Sequence, residues 1–137
     1  MSSIFLKIIN RELPGFIVAE DESHIAILDI FPVKEGHTLV IPKKEVDYLF
    51  DLDPHDLAQL MKFTQQVARA IQSAIPCRRI GMAVVGLEVP HAHIHLIPIS
   101  TVTDIDFTNK KKISDKRLLE IQESIMLKFK ENESGSP

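Results

Sequence analysis

Cysteine is almost absent from this sequence. Cys77 is the only one among 137 residues, which excludes an internal disulfide and any zinc cluster built on several thiolates, and points to a reducing compartment. A long apolar run is also missing: nothing approaches the roughly 20 residues that a bilayer-spanning helix needs. The apolar start at Ile4 is broken by Lys7 and then by Asn10, Arg11 and Glu12, so no secretory signal is expected there. A positive excess is lacking too. The formal net charge of −3 argues against a protein that lives on nucleic acid, because backbone phosphates call for a basic face. The one dense basic run, Lys110-Lys111-Lys112, reads as a solvated loop. A cytoplasmic protein with neither nucleic-acid nor membrane partners is the expectation.

What is present suits one domain over residues 1–137. Apolar residues make up 45% of the chain, enough for a real core. That core should span about residues 3–100, followed by a helical extension over about 101–130 and a disordered tail over 131–137. Ile4 to Ile9 suggests a short helix before the Pro14-Gly15 turn. Phe16 to Glu20 and His24 to Ile30 read as a hairpin across Asp21-Glu22-Ser23, and Thr38 to Ile41 as a third strand. Pro54 to Ile75 is the strongest helix: Asp53 caps it, Pro54 suits its first position, and Leu57, Leu60, Met61, Thr64, Val67, Ala68, Ile71 and Ile75 share a face. Ile80 to Val85 and His91 to Ile99 read as further strands, and Ser114 to Lys130 as an amphipathic helix with Leu118, Ile121, Ile125 and Phe129 on one side. Strands joined by tight turns and segregated from helices predict an α+β domain with an antiparallel sheet.

Half of the six histidines fall within Pro90-His91-Ala92-His93-Ile94-His95-Leu96-Ile97-Pro98. In a strand, alternate side chains share a face, which aligns His91, His93 and His95 and leaves Ala92, Ile94 and Leu96 to pack the other side. Three imidazoles make a poor core, because each has two polar nitrogens to satisfy. Two chemistries fit the row. The imidazoles can be ligands to a metal such as zinc, nickel or iron. Alternatively one is a nucleophile toward phosphorus while the others bind phosphate oxygens and move protons.

The triad, with small or apolar residues between its histidines, resembles the signature of the HIT (histidine triad) superfamily. Ser3 to Ile9, Glu12-Leu13-Pro14, Leu28-Asp29-Ile30, Gly36 to Lys44 and Gly86 to Pro90 are similar to other segments of that family, in unbroken order. The resemblance implies a five-stranded antiparallel sheet with a long central helix and a C-terminal helix. It implies a homodimer that pairs edge strands, with the long helices packed across the two-fold axis; Phe63 and Ala70, outside a narrow stripe on the long helix, agree with a second buried face. It also implies hydrolysis at the α-phosphorus of nucleotidyl compounds such as phosphoramidates or dinucleoside polyphosphates. His93 is then the nucleophile, and His95 binds the α-phosphate oxygens. His91 lies at the entrance, in a binding or supporting role, and His37 stands beside the nucleophile. Asp29 accepts from ribose hydroxyls, and Phe5, Ile8, Ile27 and Leu28 sandwich a purine base.

The sequence departs from the family pattern in two places. Relatives hold a structural zinc at positions equivalent to Ser3, Leu6, Glu45 and His91; with two thiols and a histidine replaced, no metal or other cofactor is expected. Relatives also carry a Gly-Gln pair before the triad, where this chain has Gly86 and Leu87 after a shortened loop. That change removes a donor to the leaving group and implies slow turnover, unless backbone amides of Gly86 to Val89, that of Glu88 among them, or a residue of the C-terminal extension serve instead. A nucleotide-binding protein with little catalysis and a metal-binding histidine cluster are the alternatives.

Overall fold

The computed structural model describes residues 3–134. Five strands, β1 (Ile17–Glu20), β2 (His24–Leu28), β3 (Thr38–Pro42), β4 (Arg79–Ala83) and β5 (Ile94–Ile99), form an antiparallel sheet in the order β1-β2-β3-β5-β4. The helices are α1 (Ile4–Ile9), α2 (Pro54–Ala74) and α3 (Asp115–Ser134). The expected α+β architecture is what the chain adopts. No helix among the described residues is long and apolar enough to cross a membrane.

Alternation along each strand divides the sheet into two faces. Ala26 and Leu28 of β2, Val40 of β3, and Ile94 and Leu96 of β5 join Leu60, Phe63, Val67, Ala70 and Ile71 of α2 in the main core. The opposite face carries Ile25 and Ile27 of β2 with Leu39 and Ile41 of β3, covered by Phe5 and Ile8 of α1. Leu28 thus packs away from Phe5, Ile8 and Ile27. The expected four-residue base sandwich loses it, because neighbours in a strand point to opposite sides.

Helix α2 starts where the sequence places it, with the Asp53 carboxylate accepting from the Asp56 amide at 2.8 Å and Pro54 in the first turn. Such a cap satisfies one of the first-turn amides that has no partner within the helix. Helix α3 completes the main core with Leu118, Ile121, Ile125 and Phe129. Its Phe129 ring meets Phe63 edge-on at 6.1 Å, and Phe63 and Ala70 are buried within the chain itself. Their burial within one chain therefore says nothing about a second protomer.

Most boundaries shift by one or two residues from the sequence reading, and two shift by more. Helix α3 continues to Ser134, past Glu131, where a tail was expected; residues 135–137 lie outside the described residues. Strand β5 begins only at Ile94, so His91, Ala92 and His93 precede it in irregular backbone. Hydrogen bonding explains the late start. The Ala92 amide donates to the carbonyl of Val46 at 2.7 Å, and the His91 amide folds back onto Val89 at 2.8 Å, so neither joins a ladder.

Candidate active site

Pairing across the sheet sets Ile27 beside Leu39, Leu39 beside His95 and His95 beside Ala83. This row lies on the α1 face, with His37 just before β3, Asp29 just after β2 and His93 just before β5. Gly36 allows the tight entry to β3. Its φ is +94°, and a Cβ there would meet the Ile75 side chain at 3.0 Å and the Pro98 ring at 3.1 Å, so a larger residue would displace the turn that places His37.

The partners of the four histidines fix which nitrogen carries each proton. A carbonyl can only accept, so His93 donates from Nδ1 to the His91 carbonyl at 2.8 Å. In the neutral ring this leaves Nε2 of His93 as a free lone pair. Burial lowers the pKa of this imidazole, against a raising influence from the His91 carbonyl and the Asp29 charge. Phe5 holds the ring edge-on at 4.9 Å.

His37 accepts from the Val33 amide at Nδ1, 3.2 Å away, so the proton of the neutral ring sits on Nε2. That Nε2–H donates to Nδ1 of His95 at 2.9 Å, which in turn leaves the proton of His95 on Nε2. Burial first, then the Lys110 charge, pushes His37 down to about 4. Burial first, then the neighbouring His37 and His93, pushes His95 down to about 3. Both rings are neutral at physiological pH. A lone pair on His93 and an N–H donor on His95 therefore stand side by side, with ring centroids 5.0 Å apart.

His91 departs from expectation. It is fully buried rather than at an entrance. Its Nε2–H donates to the Pro42 carbonyl at 2.7 Å, and its Nδ1 accepts from the Ser3 hydroxyl at 3.2 Å. Ser3 at the same time accepts from the Leu6 amide at 3.0 Å, capping α1. His91 thus acts through position: it ties α1 to the end of β3, and its carbonyl orients His93.

Asp29 is partly exposed, with burial raising its carboxyl pKa. One oxygen accepts from the Phe31 amide at 2.9 Å and the other lies 3.8 Å from Nε2 of His37. Phe5, Ile8 and Ile27 are buried on this same face. Glu88 stands at the rim with its side chain 83% exposed.

No three-ligand cluster of triad histidines occurs among the described residues, because both nitrogens of His91 and Nδ1 of His93 are already committed. Asp29, His37 and His95 do bring one ligand atom each within 4.8 Å of the others. They do not fit a metal well. A metal on Nε2 of His37 would force the proton to Nδ1, against the N–H of Val33. The Ser3, Leu6, Glu45 and His91 positions form no ligand set either. Where a thiolate would stand, the Ser3 hydroxyl hydrogen-bonds directly to His91.

Two residues at the site went unrecognised in the sequence. Phe107 lies edge-on to His95 at 4.8 Å and to His37 at 6.2 Å, and Lys110 reaches within 3.7 Å of the Glu88 carboxylate. The only hint was a lone aromatic in the polar stretch between β5 and α3.

The family model described as the HIT domain matches residues 10–102. The chain belongs to the HIT family. An uncharacterized HIT-like protein of Methanocaldococcus jannaschii is 40% identical over 105 residues, 69% of this chain and 77% of its own. The adenosine 5'-monophosphoramidase of Saccharomyces cerevisiae is 36% identical over 96 residues, 69% of this chain and 61% of that protein. Among solved structures, a hypothetical histidine triad nucleotide-binding protein from Sulfolobus tokodaii superposes with a TM-score of 0.84 at 33% identity, over 94% of this chain and 93% of that one. A zinc-bound histidine triad family protein from Mycobacterium smegmatis gives 0.86 at 27% identity, over 99% of both chains. These HIT structures share the segment after residue 102 as well. Phe107 and Lys110 therefore sit in a part of the fold that lies beyond the matched family segment.

Proposed function

We propose that this HIT protein hydrolyses nucleotidyl compounds at the α-phosphorus through a covalent nucleotidyl-His93. The observation that carries this reading is the proton arrangement, with the lone pair on Nε2 of His93 beside the Nε2–H of His95. Nε2 of His93 attacks phosphorus, and the bond to the leaving group breaks with its electron pair going to that group, which water protonates. Charge gained by the His93 ring is offset at Nδ1–H by the His91 carbonyl. His95 donates to the non-bridging oxygens, where charge grows in the transition state. Water then attacks phosphorus, the proton passes to solvent, and His93 departs with its lone pair restored.

Asp29 binds the ribose hydroxyls, and the base lies against the apolar face that Phe5, Ile8 and Ile27 build. Relatedness to a yeast adenosine 5'-monophosphoramidase supports a nucleotidyl substrate. Leu87 is 88% exposed and offers no donor, so cleavage that releases an uncharged amine is slow. The protein works in the cytoplasm as a homodimer. Support for pairing comes from β4, an edge strand that leaves Met82, Val84 and Val85 exposed on and beside it.

A single-turnover incubation with a radiolabelled adenylyl compound, quenched in base, tests the mechanism. The label is expected on His93, and His93→Ala should lose turnover by about 10³-fold or more while still binding AMP. Label on another residue, or full turnover in that variant, refutes it. AMP binding without turnover in the native protein would favour a binding protein with little catalysis.

A further inference from the structure

The segment between β5 and α3 folds back over the histidines and is pinned along its length. Asp104 accepts from the Ser100 and Thr101 amides at 2.7 and 2.9 Å and pairs with Lys34 at 3.0 Å. Phe107 packs on His95 and His37. The Lys111 amide donates to the Pro32 carbonyl at 2.8 Å. Lys110 is therefore held on a fixed stretch of backbone, three residues from a ring that touches the relay. Its ammonium faces Glu88, which lies in the approach to the triad directly after Leu87.

The Glu88–Lys110 pair thus stands beside the site: the Lys110 charge acts on Asp29, His37 and His95, and the Glu88 charge on Asp29 and His93. An ion pair of this kind, 3.7 Å apart with side chains 83% and 45% exposed, is weak in water. A terminal phosphate group brings more charge and more acceptor oxygens than one carboxylate, and it displaces such a partner readily. The ammonium charge acts on the neutral imidazoles of His37 and His95, so Lys110 brings a full positive charge to the cluster that a second phosphate can use.

We propose that Lys110 binds the phosphate on the leaving-group side of the α-phosphorus, exchanging Glu88 for the substrate. The chain thereby prefers nucleotidyl compounds whose leaving group is itself a phosphate over those that release a neutral amine. This rests on the hydrolase reading above for its catalytic consequence, but not for its binding consequence. Glu88 acts as the resting occupant of the ammonium, and the missing side-chain donor at Leu87 is replaced from the opposite wall of the cleft.

Calorimetry with AMP and ADP in the His93→Ala background, where the ligands stay intact, separates the two claims. Lys110→Ala should weaken ADP by about 10-fold and AMP by less than about twofold, and Lys110→Arg should retain ADP binding. Glu88→Gln should strengthen ADP by about two- to threefold. Equal losses for both nucleotides, or no loss for either, overturn the role of Lys110. Failure of AMP itself to bind would overturn the nucleotide reading and the proposal together. In the catalytic protein, Lys110→Ala should lower kcat/KM for a dinucleoside polyphosphate by about 10-fold, while the value for adenosine phosphoramidate holds within about twofold. A parallel fall for both substrates refutes the preference.

Discussion

Nε2 of His37 donates to Nδ1 of His95 across 2.9 Å, and this bond leaves the proton of the neutral His95 ring on Nε2. The direction of the bond is set one step further back, by the Val33 amide that occupies Nδ1 of His37. A backbone N–H cannot reverse its role, so the chain from Val33 through His37 to His95 runs one way. In the proposed reaction His37 is in this sense a positioning residue, acting through His95.

Replacing His37 should therefore cost rate more than affinity. His37→Leu leaves Nδ1 of His95 without a donor, and the ring is free to turn the wrong tautomer to the phosphate. We expect kcat to fall by about 10-fold or more with KM changed little. His37→Gln, whose amide can still donate to His95, should keep more of the activity. If KM rises as much as kcat falls, or if glutamine does no better than leucine, the relay is refuted.

Acid should destabilise the fold through the same pair. Both rings titrate below the free imidazole value of 6.5, His37 at about 4 and His95 at about 3, so the unfolded chain binds protons that the native state refuses. Stability is fully present above about pH 7, falls as pH drops through 6.5, and levels off only below the folded values. The loss is on the order of a few kcal/mol. Urea unfolding between pH 7.5 and 4 measures it, and His37→Gln should show a shallower decline. Identical slopes for the two proteins would show that other groups carry the acid sensitivity.

Ser3→Ala should loosen the site from behind. The change strands the Leu6 amide at the start of α1 and leaves Nδ1 of His91 without its donor. Leaving such buried groups unpaired costs about 1–3 kcal/mol, visible as a lower midpoint in thermal or urea unfolding. Because the His91 carbonyl holds His93, kcat should drop as well. An unchanged midpoint together with unchanged kcat would mean that the Ser3–His91 contact contributes nothing.

Assembly is checked at the edge of the sheet. The protein should run as a dimer by light scattering at micromolar concentration. Val84→Lys, beside β4 and 43% exposed in the single chain, should shift it toward monomer without lowering monomer stability, since like charges would meet across a two-fold pairing. A native monomer, or a variant that remains dimeric, counts against pairing through β4.

Much of this protein is legible in its one-dimensional pattern. Local signals with local causes were enough for α2, where Asp53, Pro54 and the apolar stripe act within a few residues of each other. They were enough for the β1–β2 hairpin and for the alternation that puts Ile94 and Leu96 opposite His95. The triad and the segments around it carried the family resemblance, because residues that must meet one substrate recur at fixed spacings.

Tertiary structure decided what depends on partners far away in the chain. His91 has the same spacing as its two neighbours, yet it is buried and structural because Ser3 and Pro42, 88 and 49 residues distant, take both its nitrogens. The resemblance places Leu28 in the base pocket, and the pleat turns it to the other face. Phe63 and Ala70 suggest a partner copy in the sequence, yet both are buried within the single chain, Phe63 against Phe129 of α3. Lys110 reads as one more solvated lysine until the return of its segment sets it opposite Glu88. Spacing determines which face a side chain takes. Which groups then satisfy its polar atoms is set by packing between distant segments, and that decided which nitrogen of each site histidine carries the proton.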